Sequence, residues 1–269
     1  MIGERPWGLA HSAMLLGPDL RGTAGAMAEG GVRAVEAMLP FAGERARQSP
    51  AVARVMRGVL DGSGLPVWSV HSFFMEDADF SIANPRERSR ALDSHRYAIE
   101  VCAILGASVL VVHGSGPLDG LPPAPARGRA LEGVAELAAD AQAAGVVLAV
   151  ENLPDNFLPS SGEDVRRFVD EIGHPSVRAC LDTGHAHLTD GVVTATRALS
   201  DRIASIHAHD NAGRADDHLL PGAGSVDWPS FGGALREVGY AGPVVLELAL
   251  PKGETPASMV EAFWSAVDT

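Results

Sequence analysis

Lysine is almost missing from this chain. Of 21 basic residues in 269, only Lys252 is a lysine, and no block of basic residues occurs anywhere. Against them stand 34 acidic residues, for a formal net charge of -13. A nucleic-acid surface needs clustered cations to displace counterions from phosphates, so this balance argues against nucleic acid as a partner. Cysteine is equally scarce. Cys102 lies in a helical pattern (AIEVCAIL) and Cys180 in a strand pattern (VRACLD). Two residues so placed make no disulfide framework and read as small core residues of a reducing compartment. Long apolar runs are lacking too. Stretches such as VLVV and VVLAV are far too short to span a bilayer. The opening MIGERPWG has no charged-then-apolar signal layout. The expectation is a soluble cytoplasmic protein with no membrane partner; the sequence leaves open whether it assembles as a homo-oligomer.

What is present is ordinary globular material, 46% hydrophobic and 20% charged, enough for a large core. Short apolar runs alternate with helical segments. The strand candidates are Trp7–His11, Val32–Met38, Val67–His71, Val109–His113, Val146–Glu151, Val177–Leu181, Ile203–His207 and Val244–Leu248. The helix candidates are Ala24–Glu29, Arg47–Leu60, Arg86–Leu105, Arg127–Ala144, Glu163–Ile172, Val193–Leu199, Phe231–Val238 and Ala257–Val267. The strands read as continuous apolar runs, as expected for a parallel sheet covered by helices. Eight strand–helix units without a linker predict a single α/β domain over residues 1–269, a (β/α)8 TIM barrel. The Pro- and Gly-rich segment Gly114–Gly128 predicts a loop over the barrel mouth, either a lid or a tolerated insertion.

In such a barrel, chemistry gathers at the C-terminal ends of the strands. Those ends carry His71 (WSVHS), His113 (VVHGS), Glu151 (AVENL), Asp182 and His185 (CLDTGH), His207 (SIHAHD) and Glu247 (VLELA). The loop after the seventh strand adds Asp216 and His218 (ADDHLLPG). A carboxylate or imidazole at the edge of a core is costly unless it is paired or metal-bound. So many of them together point to one shared site. Oxygen and nitrogen donors without thiolates suit Zn, Mn, Co or Fe better than Ca.

At these residues the chain resembles the endonuclease IV-like, xylose-isomerase-like TIM barrels, from the third strand to the last helix. The most specific stretches are LDTGH at 181–185, IHAHDN at 206–211, DDHLLPGAGSVDW at 216–228 and VLELA at 245–249. The resemblance implies a divalent metal, Zn or Mn first, with Co, Fe or Mg as alternatives, held by Glu151, Asp182, His207 and Glu247. Endonuclease IV enzymes hold three zinc ions, and their further ligands match His71, His113, His185, Asp216 and His218. The expected metal count is therefore one to three ions per chain. The sugar epimerases of the family keep one metal and use the equivalent of His185 on substrate, and His218 falls where some of them carry a substrate-contacting arginine. The segment after His71, with Glu76, Asp77 and Asp79, does not resemble the DNA-intercalating loop of the repair enzymes. The 216–228 block resembles that of proteins grouped as sugar phosphate isomerases/epimerases, although they commonly carry glutamate where this chain has Ala223.

The leading expectation is thus a metal-dependent sugar (phosphate) isomerase or epimerase acting on a small carbohydrate. It would transfer a proton next to a carbonyl through an enediolate, with Glu151 and Glu247 as acid and base and His185 orienting a hydroxyl. The alternative is a di- or trinuclear metal-dependent phosphoesterase of the endonuclease IV type. A metal-stabilised binding protein is a third reading with nothing specific behind it. His209, His218 and Arg214 are the substrate-contact candidates, with His209 read equally as a loop residue bonded to backbone. His187, His11 and Glu36 are weaker candidates for the mouth. Phe73 and Phe74 read as core or subunit contacts. His95 and His174 read as surface or helix-end residues.

Overall fold

The computed structural model describes residues 7–13, 20–39, 50–74 and 78–268. Glu76, Asp77 and the first residues of the Arg47–Leu60 helix candidate lie outside them. Within them the chain alternates strand and helix. It begins β1 (Leu9–Ala13), α1 (Leu20–Glu29), β2 (Ala34–Met38), α2 (Pro50–Gly62), β3 (Val67–His71), α3 (Pro85–Leu105), β4 (Val109–Val112) and α4 (Pro123–Ala143). It continues β5 (Val147–Glu151), α5 (Gly162–Ile172), β6 (Val177–Asp182), α6 (Thr183–Leu188) and α7 (Val192–Leu199). The last elements are β7 (Ile203–Ala208), α8 (Trp228–Glu237), β8 (Val244–Leu246) and α9 (Pro256–Asp268). The eight strands pair in parallel, each with its neighbours in sequence, and β8 closes on β1.

Local chemistry sets the helix ends. α3 starts where the Asn84 side chain accepts the Arg86 N–H and stops at Gly106, whose φ of 75° suits a residue without Cβ. At α5 the Ser161 hydroxyl accepts the Asp164 N–H, and Glu163 and Asp164 sit in the first turn against the helix dipole. The Gly114–Gly128 segment is a loop only in its first part. Its end, from Pro123, is the first turns of α4, since proline at a helix start loses no hydrogen bond. α6 was not visible in the hydrophobic pattern. It is 6 residues long, and the Asp182 side chain accepts the His185 N–H at its start. Among the described residues no helix is long and apolar enough to cross a membrane.

The pleat sends alternate strand residues outward and inward. Outward residues such as Leu110, Leu148, Val150 and Ile206 join the large core under the helices. Inward ones form two small clusters of their own. Val109, Val111, Ala149 and Cys180 make one; Ala10, Ala34 and Val245 make the other, and Trp68 packs against both. A small residue in this plug repeatedly precedes an ionisable one by two positions: Ala34 before Glu36, Ser69 before His71, Val111 before His113, Ala149 before Glu151, Cys180 before Asp182, Ser205 before His207 and Val245 before Glu247. The plug fills the bore and lifts the polar layer to its C-terminal end.

The outer core carries most of the apolar burial, so its truncation should be costly and a surface truncation should not. Leu148→Ala, at a fully buried outward position, is expected to lose about 3 kcal/mol in chemical denaturation. Val55→Ala, at an exposed position, should change stability by less than about 0.5 kcal/mol.

Candidate metal centre

The ends of β5, β6, β7 and β8 bring Glu151, Asp182, His207 and Glu247 together, with one ligand atom of each within 4.8 Å of all the others. All four are buried. Parallel pairing sets Asp182 directly beside His207, and Glu151 beside Cys180. His207 Nδ1 lies 3.0 Å from Glu247 Oε2, 3.2 Å from Glu151 Oε1 and 3.8 Å from Asp182 Oδ2.

Glu151 faces a second group with its other oxygen. His71 Nε2 and His113 Nε2 lie 3.4 and 3.2 Å from Oε2. A third group lies towards the rim, where His185 Nε2 and His218 Nε2 are 3.3 and 3.1 Å from Asp216 Oδ2. The nine residues singled out as ligands in the sequence therefore form one continuous layer.

Their rings are held in a common way. His71 Nδ1–H donates to the Ser72 carbonyl, His185 Nδ1–H to the Asn152 carbonyl and His218 Nδ1–H to the Glu247 carbonyl. Each ring thus presents Nε2 to a carboxylate. Metal-binding histidines are commonly fixed through the other ring nitrogen in this manner.

The charges are strongly coupled. Burial disfavours the His71 cation, yet Glu151, Glu36 and Glu247 together lift its pKa to about 9. Burial likewise opposes the His218 cation, and Asp216 outweighs it, again to about 9. Burial works against the Glu247 and Glu151 anions, but His207 and the other imidazoles hold both carboxyls low. His113 differs, because burial wins and pushes it down. Carboxylates that attract protons onto their neighbours attract a divalent cation equally. Glu151 Oε2 is buried with no hydrogen-bond partner, although two imidazole nitrogens aim at it. Such a mixed N/O donor set, converging on one layer, fits an ion such as Zn or Mn.

Xylose isomerase-like TIM barrel describes the protein family that matches residues 25–263, a span holding every residue of this layer. The chain belongs to that family. It is 32% identical over 140 residues to a D-psicose 3-epimerase of Enterocloster bolteae, covering 51% of this chain and 45% of that protein. The chain thus spans less than half the length of that relative. It is 26% identical over 246 residues to a probable endonuclease 4 of Mycobacterium leprae, covering 88% of this chain and 93% of that protein. Among solved structures, a D-tagatose 3-epimerase-like protein superposes with a TM-score of 0.83 at 23% identity, over 97% of this chain and 98% of that one. That last likeness is one of fold.

Of the other candidates, His209 joins the layer, grouping with Asp182 and His185 and with His218 and Glu247, and the rest fall elsewhere. His209 is fully buried, with Nε2 3.0 Å from Asp182 Oδ2 and its ring stacked on His218 at 3.9 Å. Gly184 in the LDTGH stretch makes room for it, since a Cβ there would overlap the His209 ring. Arg214 is exposed in the rim loop, outside the layer. His187 reaches the Ser225 hydroxyl and His174 caps its own loop at Ser176. His95 is not at the surface. It is fully buried in α3, accepting from the Ser72 hydroxyl and donating to the Ala78 carbonyl. Phe73 is core, as expected, whereas half-buried Phe74 packs against the His71 and His113 rings. Glu36 is buried beneath the mouth at 0% exposure. The His11 side chain lies outside the described residues.

Asp210, not singled out in the sequence, holds the rim loop. Its carboxylate accepts from the N–H groups of Asn211, Gly222 and Val226 and from Trp228 Nε1. The loop carrying Asp216 and His218 is thereby tied to the start of α8.

Asp182→Ala and His207→Ala each remove one of four converging donors. Both proteins, purified without chelator, should lose tight metal binding by elemental analysis, while circular dichroism shows the barrel intact. Full occupancy in either would mean the donors are wrongly assigned.

Proposed function

We propose that this protein is a metal-dependent isomerase or epimerase of small keto-sugars or their phosphates, working in a reducing, cytoplasmic setting. The observation that carries this reading is the pair Glu151 and Glu247. Two carboxylates from different strands, β5 and β8, reach one four-donor cluster at the barrel mouth. The D-psicose 3-epimerase relatives support it, at 32% and 30% identity.

Glu151, Asp182, His207 and Glu247 would hold the ion. Its contribution when bound is Lewis acidity, which polarises a carbonyl and lowers the barrier to losing the proton on the adjacent carbon. The chain supplies the proton transfer itself. One of Glu151 and Glu247 removes the proton from one face, leaving an enediolate. The other returns a proton to the opposite face, which inverts the carbon. The carboxyl that accepts is ionised, as both are held low; the one that returns a proton first takes it from solvent, and the acceptor gives its own up to solvent afterwards. Asp182 and His207 serve as fixed donors. His185, anchored on the Asn152 carbonyl, directs Nε2 towards the mouth, where it orients a substrate hydroxyl. Phe74 forms an apolar wall beside His71 and His113.

A second reading, a di- or trinuclear phosphoesterase, is favoured by one specific observation. His71 and His113 converge on Glu151, and His185 and His218 converge on Asp216, beside the shared cluster. The two readings separate on metal count. Changing His71, His113 and His218 together to alanine should leave the metal count unchanged from wild type if those residues are not ligands of the working enzyme. A fall from three or two ions to one, measured by elemental analysis, would promote the hydrolase.

The proton is the direct test. In heavy water, an accepted ketose or ketose phosphate should return with deuterium at the reacting carbon. Glu151→Gln and Glu247→Gln should each slow that exchange about a hundredfold, the scale for losing a positioned acid or base. Metal content is measured alongside. Hydrolysis of phosphate esters with no exchange on any ketose would overturn the isomerase reading.

A further inference from the structure

Three histidines of the layer are anchored through Nδ1 on backbone carbonyls and present Nε2. His207 is turned the other way. Its Nδ1 faces Glu151, Asp182 and Glu247, and its Nε2 lies 3.1 Å from Glu36 Oε2. Glu36 comes from β2, far from the four donor strands in sequence. The same Oε2 accepts the Ser69 hydroxyl at 2.7 Å, and Ser69 is the register partner of Glu36 on β3. Glu36 Oε1 is buried with no hydrogen-bond partner. A buried carboxylate is tolerated when it is paired, and Glu36 takes its pairing from His207 and Ser69.

We propose that Glu36 is a positioning residue of the metal centre: it holds the His207 proton on Nε2, and so presents Nδ1 to the ion as a bare donor. The argument is one of inventory. A neutral imidazole has one proton and one lone pair, and the acceptor it meets decides which nitrogen keeps the proton. A carboxylate acceptor also raises the donor strength of the opposite nitrogen more than a carbonyl does. Ser69 steadies the carboxylate. The His71 ring, stacked on His207 at 5.7 Å and 21°, restrains its plane. This inference rests on His207 being a metal ligand.

The test reads metal binding and proton position separately from activity. Glu36→Gln keeps an acceptor oxygen without charge; Glu36→Leu keeps neither. Zinc affinity by competition with a chromophoric chelator should fall in the order wild type, Gln, Leu, with the Leu protein about 10- to 100-fold weaker. Cobalt-substituted samples should show a changed visible spectrum in the same order. Spectra of the zinc-loaded wild-type protein labelled with nitrogen-15 in histidine should place zinc on Nδ1 of His207 and the proton on Nε2. That measurement needs no variant, so it decides even if the Leu protein does not fold. Equal affinities, or the proton on Nδ1, would overturn the role of Glu36 while leaving His207 as a ligand. A zinc-loaded protein whose His207 carries no zinc would overturn both.

Discussion

Everything at the mouth of this barrel follows from charge confined where water is scarce. Glu36, Glu151, Asp182 and Glu247 are buried within one short layer. Carboxylates at such spacing repel strongly in a low-dielectric interior, and the fold tolerates them only if positive charge is interleaved. The imidazoles of His71, His185, His207 and His218 surround them. Burial opposes both cations, yet Glu151 raises the pKa of His71 and Asp216 that of His218, each to about 9. A divalent cation meets the same demand with a single small sphere.

Much of this was legible in the sequence because the barrel repeats a simple rule. An apolar run that ends in an ionisable residue marks the C-terminal end of a strand, and six such runs, ending at His71, His113, Glu151, Asp182, His207 and Glu247, locate the mouth. Those six lie in the polar layer with His185, Asp216 and His218, which the LDTGH and ADDHLLPG stretches supply. What stayed hidden depends on packing rather than pattern. His95 sits mid-helix among polar residues, and its burial comes from Phe80 stacking on it at 4.2 Å and from the Ser72 hydroxyl. Phe74 was not separable from Phe73 by sequence, although one is core and the other walls the site. Helix α6 is too short to show a periodicity.

The roles of Glu36 and Asp210 were invisible for a different reason. Each acts on residues distant along the chain, 171 positions away for Glu36 and His207. Hydrophobic spacing reports which side of an element faces in; it carries no information on which nitrogen of a ring keeps its proton. The Asp210 carboxylate gathers four donors from positions 211 to 228, and only the closed loop makes that convergence apparent.

The contact between Gly184 and the His209 ring links two positions 25 residues apart in sequence. Each limits what the other can become. A larger residue at 184 is tolerated only after 209 has shrunk, and a shrunken 209 removes the imidazole resting on Asp182. The two sites can therefore drift only as a pair. A lineage that departs from this arrangement one step at a time passes through a protein with a gap beside Asp182, which couples position 184 of the LDTGH stretch to position 209 of the IHAHDN stretch.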